Sequence, residues 1–255
     1  MPASQQAREG PQPLVSAVVP AHNEAENIPA LIEEIATALS PRGPFEVIVV
    51  NDGSTDATES TVRSLAATRP WLRQIKHDKS SGQSAALRSG VRAARASIIA
   101  TLDGDGQNDP AFIPRLLDAL DAGGARVALV AGQRTKRRDG GFKKFQSWIA
   151  NRVRSAVLRD ATRDTGCGLK VFRREVFLAL PYFDALHRFL PALMRREGYL
   201  LEYVQVVDRP RRFGKSHYGM WNRLWIGIVD LLGVFWLIRR RKRVPEVTEV
   251  FPDAR

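Results

Sequence analysis

The sequence of 255 residues contains a single cysteine, Cys167. An intrachain disulfide is therefore excluded, and with it a secreted disulfide scaffold or a cysteine-rich zinc module; a reducing compartment is expected. The first thirteen residues lack the apolar core of a secretory signal, and their Gln, Pro and Gly content suits a solvated tail. Long hydrophobic runs are also missing. The most apolar stretch, 224–238, has 15 residues with Asp230 in its middle. As a helix it spans about 22 Å, against roughly 30 Å of bilayer hydrocarbon. No G-x-G-x-x-G follows the first strand-like run, which argues against a dinucleotide oxidoreductase. No Walker lysine loop supports an NTPase, and the four histidines are scattered with no His-Glu-x-x-His among them. No repeat, low-complexity tract or Pro/Gly/Ser-rich linker divides the chain.

What is present is ordinary globular material, 44% apolar and 26% charged, in a chain long enough to bury a full core. The charge is unevenly placed. Residues 1–133 carry 12 Lys and Arg against 15 Asp and Glu, whereas residues 134–255 carry 27 against 12. The second part therefore calls for an anionic partner. No RNA-binding sheet signature occurs, which argues against nucleic acid. The densest cationic run, Arg239–Arg243, directly follows the apolar stretch, and Trp221, Trp225 and Trp236 surround it. That combination points to a helix lying on an anionic membrane surface. A core helix, an oligomer or membrane-protein contact, and a true span are the other readings of the same residues.

Short β-branched runs alternate with helical patterns through the first half, the mark of βαβ units on a parallel sheet. Strands are expected at 14–19, 45–50, 72–77, 97–102 and 127–132, with helices at 26–39, 56–67, 83–95 and 110–121. Beyond residue 140 the pattern predicts a helix at 142–158, a strand at 168–173, a helix at 187–197, a strand at 199–207 and a helix at 218–240. In open α/β sheets ligands bind beyond the carboxyl ends of the strands. Three loops with carboxylates fall there: PAHNEAEN (20–27), NDGSTD (51–56) and DGDGQNDP (103–110). In the third, Gly104 and Gly106 let the backbone turn so that Asp103, Asp105 and the amide oxygen of Gln107 can converge on a hard cation, Mg²⁺ or Mn²⁺. An acidic turn capping the next helix is the plainer reading of that loop alone.

Taken together, these loops resemble the family 2 glycosyltransferases of the GT-A fold, from residue 15 to about 220, and in particular their polyprenyl-phosphate, dolichol-phosphate mannose synthase-like branch. The resemblance implies an α/β, GT-A-like single domain with a mostly parallel sheet at 14–217. A tail precedes it at 1–13; a membrane-associating helix with its basic cluster follows at 218–243, and a second tail at 244–255. It implies that Pro20, Asn23 and Glu24 line the nucleoside pocket, that Asp52 accepts from the base, and that Asp103, Asp105 and Gln107 hold the metal and the sugar-nucleotide diphosphate. Gly82 and Gln83 stand where amides at a helix start can meet anionic oxygens. By the same resemblance Arg134, Lys143 and Ser147 approach the acceptor phosphate, and Asp164 is a base or an orienting carboxylate. Arg211, Gly214 and Ser216 match the family's Arg-x-x-Gly-x-Ser loop, with His217 where relatives usually carry Lys. The Gln-x-x-Arg-Trp sequence of the family's processive polymerases is missing, which favours transfer of one sugar.

The expected activity is inverting transfer from a nucleoside diphosphate sugar to a polyprenyl phosphate at the cytoplasmic face of the cell membrane, with the protein peripheral or monotopic. A phosphate monoester is largely ionised near neutrality and needs no strong base. Two alternatives remain at this point: transfer to a saccharide or lipid hydroxyl with Asp164 as base, and a non-catalytic nucleotide-binding or membrane-surface adaptor.

Overall fold

In the computed structural model, residues 11–135, 157–158, 162, 164–210 and 220–241 are described. Seven strands form one sheet: β1 (Val15–Ala21), β2 (Phe45–Asp52), β3 (Leu72–His77), β4 (Ile98–Thr101), β5 (Val127–Arg134), β6 (Lys170–Arg173) and β7 (Leu200–Val206). Their order is β3-β2-β1-β4-β6-β5-β7. The pairs β1–β2, β1–β4, β2–β3 and β5–β7 are parallel, and only β6 runs against its neighbours β4 and β5. The connections carry α1 (Ile28–Leu39), α2 (Thr58–Ala66), α3 (Gln83–Ala93) and α4 (Ile113–Ala122). After β6 come α5 (Arg174–Ala179) and α6 (Leu186–Arg196), and after β7 comes α7 (Met220–Arg239).

Helices cover both faces of the sheet, which is why the central strands read as near-continuous apolar runs. Successive side chains of a strand point to opposite faces. Val15, Ala17 and Val19 of β1 thus pack with Ile28, Leu31, Ile32 and Ile35 of α1 and with Leu116 and Leu120 of α4. Val18 of the same strand joins Ile48 and Val50, Leu87 and Val91 of α3, Phe177 of α5 and Leu190 and Leu193 of α6 on the other face. The buried set Ile28, Leu31, Ile32, Ile35, Leu39 has the spacing of a single helix face, and a proline in the first turn pre-sets the entry into α1.

The expected strands and helices of the first half are present, with ends shifted by no more than three residues and β3 matching its expected range. The six-residue α5 is absent from the sequence reading, being too short to show a helical period. Most of the helix expected at 142–158 lies outside the described residues; Val157 and Leu158 are helical.

The last helix packs one side into the core and leaves the other exposed. Val234, 1% exposed, belongs to the core cluster, with Leu231, Phe235 and Ile238 packed beside it. Arg196 of α6 ties the helix down through Nε, which donates to the Leu237 carbonyl at 3.0 Å. The other side presents Ile228, Val229, Leu232 and Trp236, between 40% and 66% exposed. Among the described residues no helix is long and apolar enough to cross a membrane.

Candidate active site

The loops after β1 and β2 are knitted into one wall. Asn23 adopts a left-handed backbone, φ 57°, which a short polar side chain tolerates. Its Oδ1 accepts from the Thr55 amide at 2.8 Å and from the Asp56 amide at 3.3 Å, while its own amide donates to Ser54 Oγ at 3.0 Å. The Glu24 amide donates to Thr58 Oγ1 at 2.9 Å, and the Glu24 carboxylate accepts from Asn27 Nδ2 at 2.6 Å. Pro20 closes the end of β1 and lines the cavity described below. Three residues expected at the nucleoside pocket, Pro20, Asn23 and Glu24, therefore sit together at the carboxyl edge of the sheet, the latter two with their backbones fixed by the β2 loop.

Asp52 is buried at the end of β2, under the loop that leads into α3. Its carboxylate accepts from the Ser81 amide at 2.9 Å, the Gly82 amide at 2.9 Å, Ser80 Oγ at 3.0 Å and His77 Nδ1 at 2.7 Å. Gly53 permits this closeness, because its φ is +62° and a side chain there would collide with the backbone of Lys79 and Ser80. The Ser81 and Gly82 amides, just before α3, thus meet the carboxylate of Asp52, and Gln83 reaches Asp103 through its side chain. Burial alone would raise the Asp52 pKa; the four donors outweigh it and hold the group below its ordinary value. A carboxylate with a depressed folded pKa contributes stability above the unfolded value, about 3.9, and loses it as pH falls through the folded value. Asp52→Asn is expected to lower stability by about 1–3 kcal/mol at pH 7, with the gap from wild type closing at pH 3 in thermal melts.

At the end of β4 stand Asp103 and Asp105. Burial, then the Asp105 charge, pushes the Asp103 carboxyl up to about 6. Its Oδ1 accepts from Gln83 Nε2 at 2.6 Å, and its amide donates to Asn108 Oδ1 at 3.1 Å. Gly168, in the run leading to β6, packs against that carboxylate so closely that a Cβ would overlap it. Asp105 Oδ1 accepts from the Gln107 amide at 3.1 Å, and the Gln107 carbonyl accepts from the Arg209 amide at 2.9 Å. Two carboxylates that repel one another in a half-buried loop are a donor set a divalent cation fits. No cluster of three or more His, Cys, Asp and Glu that could hold a metal occurs among the described residues. These two would therefore need their coordination completed by the Gln107 amide oxygen and a ligand's oxygens.

Beyond β5 the structure places an ion-pair cluster. Arg134 Nε and Nη2 donate to the two oxygens of Asp164 at 2.5 and 2.7 Å, and Nη1 donates to Asp208 at 2.9 Å. Burial works against the guanidinium charge, yet these carboxylates outweigh it and raise its pKa. Three of the five N–H groups are so committed, leaving two for a ligand. Asp164 is held in a bidentate grip by the guanidinium. Lys143 and Ser147, also expected at the acceptor, and Arg211 and Ser216 of the Arg-x-x-Gly-x-Ser loop lie outside the described residues.

A cavity of about 120 Å³ opens beside Asp103, between Pro20, Gln83, the Gly166–Gly168 backbone, Lys170 and His187. Cys167 in its wall is fully buried, and burial pushes its thiol up to about 11, as for a packed, unreactive side chain. Asp208, Lys170, His187 and His77 were not singled out by sequence reasoning. The one signal available was position: Lys170 and Asp208 flank strands β6 and β7 at the same edge of the sheet as the acidic loops.

A mixed, mostly parallel α/β sheet with acidic loops, a carboxylate pair and an adjoining cavity at one edge is the arrangement of a GT-A-like fold. Residues 16–180 match Glycosyl transferase family 2, and the chain belongs to that family of glycosyltransferases. It is 35% identical over 234 residues to the dodecaprenyl-phosphate galacturonate synthase of Rhizobium johnstonii, a match covering 90% of this chain and 68% of that protein. It is 31% identical over 217 residues to the undecaprenyl-phosphate 4-deoxy-4-formamido-L-arabinose transferase of Serratia proteamaculans, covering 84% and 65%. The chain thus spans about two thirds of the length of these relatives. Glucosyl-3-phosphoglycerate synthase from Mycobacterium tuberculosis, crystallised with Mn²⁺, UDP and phosphoglyceric acid, shares the fold at a TM-score of 0.67 and 20% identity, over 91% of this chain and 80% of that one.

Proposed function

We propose that the protein transfers a single sugar from a nucleoside diphosphate sugar to a polyprenyl phosphate at an anionic membrane surface. The observation that carries the choice of acceptor is the bidentate pairing of Asp164 with Arg134. A hydroxyl acceptor needs a general base, and the carboxylate in the matching position is neutralised by its partner. His187 is no substitute: burial, then the Lys170 and Arg188 charges, hold it at about 3. An ionised phosphate attacks without one. Both relatives described above carry a polyprenyl phosphate in their names, which supports the same reading.

The nucleoside lies along Pro20, Asn23 and Glu24, with Asp52 ordering the neighbouring loop. Asp103, Asp105 and Gln107 would hold Mg²⁺ or Mn²⁺, which supplies positive charge beside the departing diphosphate. Gln83, hydrogen-bonded to Asp103, keeps that carboxylate in place as the donor enters. The two uncommitted N–H groups of Arg134 face the acceptor phosphate, and configuration inverts in a single displacement. The protein sits at the cytoplasmic face as a peripheral or monotopic molecule, with the exposed side of α7 entering the interface and Arg239–Arg241 meeting lipid phosphates. It makes no use of nucleic acid.

The test is incubation with Mn²⁺, a panel of UDP- and GDP-sugars and a short polyprenyl phosphate, followed by mass analysis of the lipid. A sugar-phosphoryl-polyprenol supports the reading, and a product formed on a hydroxyl lipid in its place overturns it. For the membrane surface, truncation is a poor probe because Val234 covers α6. Leu232→Glu with Trp236→Glu alters only the exposed side. Each apolar side chain contributes about 1.5–3 kcal/mol on burial, so affinity for anionic vesicles is expected to fall at least about tenfold. Unchanged sedimentation with vesicles would move the contact elsewhere.

A further inference from the structure

The tip of the acidic loop after β4 has little apolar packing to hold it. Asp105, Gly106 and Gln107 are half-buried there, and at Gly106, whose φ is +71°, an added Cβ would meet nothing within 4 Å. A cavity of about 30 Å³ lies between Gly106 and Ala30, Leu31 and Glu34 of α1, with Arg209 in its wall. None of the three tip residues belongs to either apolar cluster.

The loop is held instead from the exit of β7. Arg209, three residues past that strand, donates its amide to the Gln107 carbonyl at 2.9 Å. Its guanidinium spans two elements, Nη1 donating to Glu34 of α1 at 2.5 Å and Nη2 pairing with Asp109 at 2.6 Å. The preceding residue, Asp208, forms an antiparallel bridge with Asn108, whose Oδ1 accepts from the Asp103 amide at 3.1 Å. Gln107 is thus fixed through both of its backbone groups, its amide on Asp105 and its carbonyl on Arg209. A planar guanidinium suits this place, because its separate N–H groups serve two carboxylates at once, whereas an ammonium is a point charge. Arg42, just past the end of α1, makes a comparable tie to Asp118 and Asp121 of α4, but there α1 and α4 already share an apolar cluster. At the loop tip no such packing stands behind the arginine.

We propose that Arg209 is a positioning residue for the cation site, fixing the 105–109 tip against α1 and the exit of β7 so that Asp105 and Gln107 are held in place before a divalent cation arrives. The inference rests on the metal-dependent donor reading above and adds what makes the loop ready for the metal. Arg209 touches neither donor nor cation in this role. Its effect passes through the Gln107 carbonyl and the Asp109 carboxylate, and loss of such an outer partner lowers metal affinity about 10- to 100-fold.

The experiment titrates the full chain with UDP and with GDP over a series of Mn²⁺ concentrations, and follows hydrogen exchange in the metal-free protein. In Arg209→Met the Mn²⁺ needed for half-maximal nucleotide affinity is expected to rise at least about tenfold, with affinity in the absence of Mn²⁺ kept within about twofold. Amides of residues 103–109 are expected to exchange faster than in wild type while those of the central strands do not. The melting temperature is expected to fall by no more than about 3 °C, since partly exposed ion pairs contribute little. Arg209→Lys keeps the charge and loses the fork, and is expected to recover only part of the Mn²⁺ affinity. Asp109→Asn retains the oxygen that accepts from the Ala111 amide. It is expected to raise the Mn²⁺ requirement about threefold, and to raise it no further when added to Arg209→Met. Arg42→Met, the control, is expected to match wild type in both measurements. An unchanged Mn²⁺ requirement in Arg209→Met beside a Mn²⁺-dependent wild type overturns the proposal alone. So does equal loss of nucleotide affinity with and without Mn²⁺, or faster exchange throughout the sheet, because the arginine would then serve the fold as a whole. If Arg209→Met does not fold, Arg209→Lys and Asp109→Asn decide by the same readings. A wild type whose nucleotide binding ignores Mn²⁺ overturns the metal reading itself, and this inference with it.

Discussion

Replacing Asp105 by alanine is expected to lower sugar transfer at least about a thousandfold, roughly 4 kcal/mol of transition-state stabilisation, and to abolish Mn²⁺-dependent donor binding while the melting temperature stays put. The asymmetry follows from where the carboxylate sits. Asp105 is half-buried in a turn after β4, and the bond described for its Oδ1 comes from the amide two residues on. It belongs to neither apolar cluster. Its proximity raises the Asp103 pKa, so its removal relieves a repulsion that the fold tolerates. A group held against its own electrostatic interest is what a cation site looks like before the cation arrives. Asp103→Ala is a less clean probe, because that side chain also holds Gln83 and packs under Gly168. Single-turnover transfer together with nucleotide titrations with and without Mn²⁺ checks the prediction. Near wild-type transfer by Asp105→Ala would remove the metal from the mechanism.

The difference between these two aspartates also marks how far the sequence is readable. Asp52, Asp103 and Asp105 stand in short glycine-containing loops directly after apolar runs, so the run fixes the strand and the strand's end fixes the edge of the sheet. The parallel strands were legible for the same reason: residues buried on both faces leave a continuous apolar signature. Strand direction leaves no such signature. β6 has the same alternation whichever way it runs, and its reversal between β4 and β5 is a tertiary fact. That reversal brings Gly168 and Lys170 to the Asp103 carboxylate and its cavity from about 65 residues away in sequence. Asp208 likewise gains meaning only by pairing with Arg134, 74 residues distant, and with the Asn108 bridge. His77, alone in its strand, becomes part of the site by standing between Asp52 and Ser89, at 2.7 and 2.9 Å. Periodicity reports burial and local geometry, and none of these pairings is local.

The Arg134 cluster gives the second large effect, and it is an effect on stability before it is one on catalysis. The guanidinium is 15% exposed and its partners Asp164 and Asp208 are 9% and 18% exposed. Removing one member of a buried, hydrogen-bonded ion pair strands the other charges and costs about 3–5 kcal/mol. Arg134→Met is expected to cost that much at pH 7, with no ligand present. In the variant Asp164 and Asp208 lose the guanidinium between them, so their negative charge is offset less than in the wild type and their ionised forms are disfavoured relative to it. Groups with raised folded values are destabilising while ionised, and the penalty is relieved as pH falls through those values. The deficit against wild type is therefore expected to shrink between pH 8 and pH 5, and Asp164→Asn with Asp208→Asn in the Arg134→Met background is expected to restore much of it. Urea melts across that pH range measure all three statements. A variant with wild-type stability and a raised KM for the lipid acceptor alone would assign Arg134 wholly to the acceptor phosphate and release Asp164 to act as a base. The choice between phosphate and hydroxyl acceptors would then rest on the product analysis.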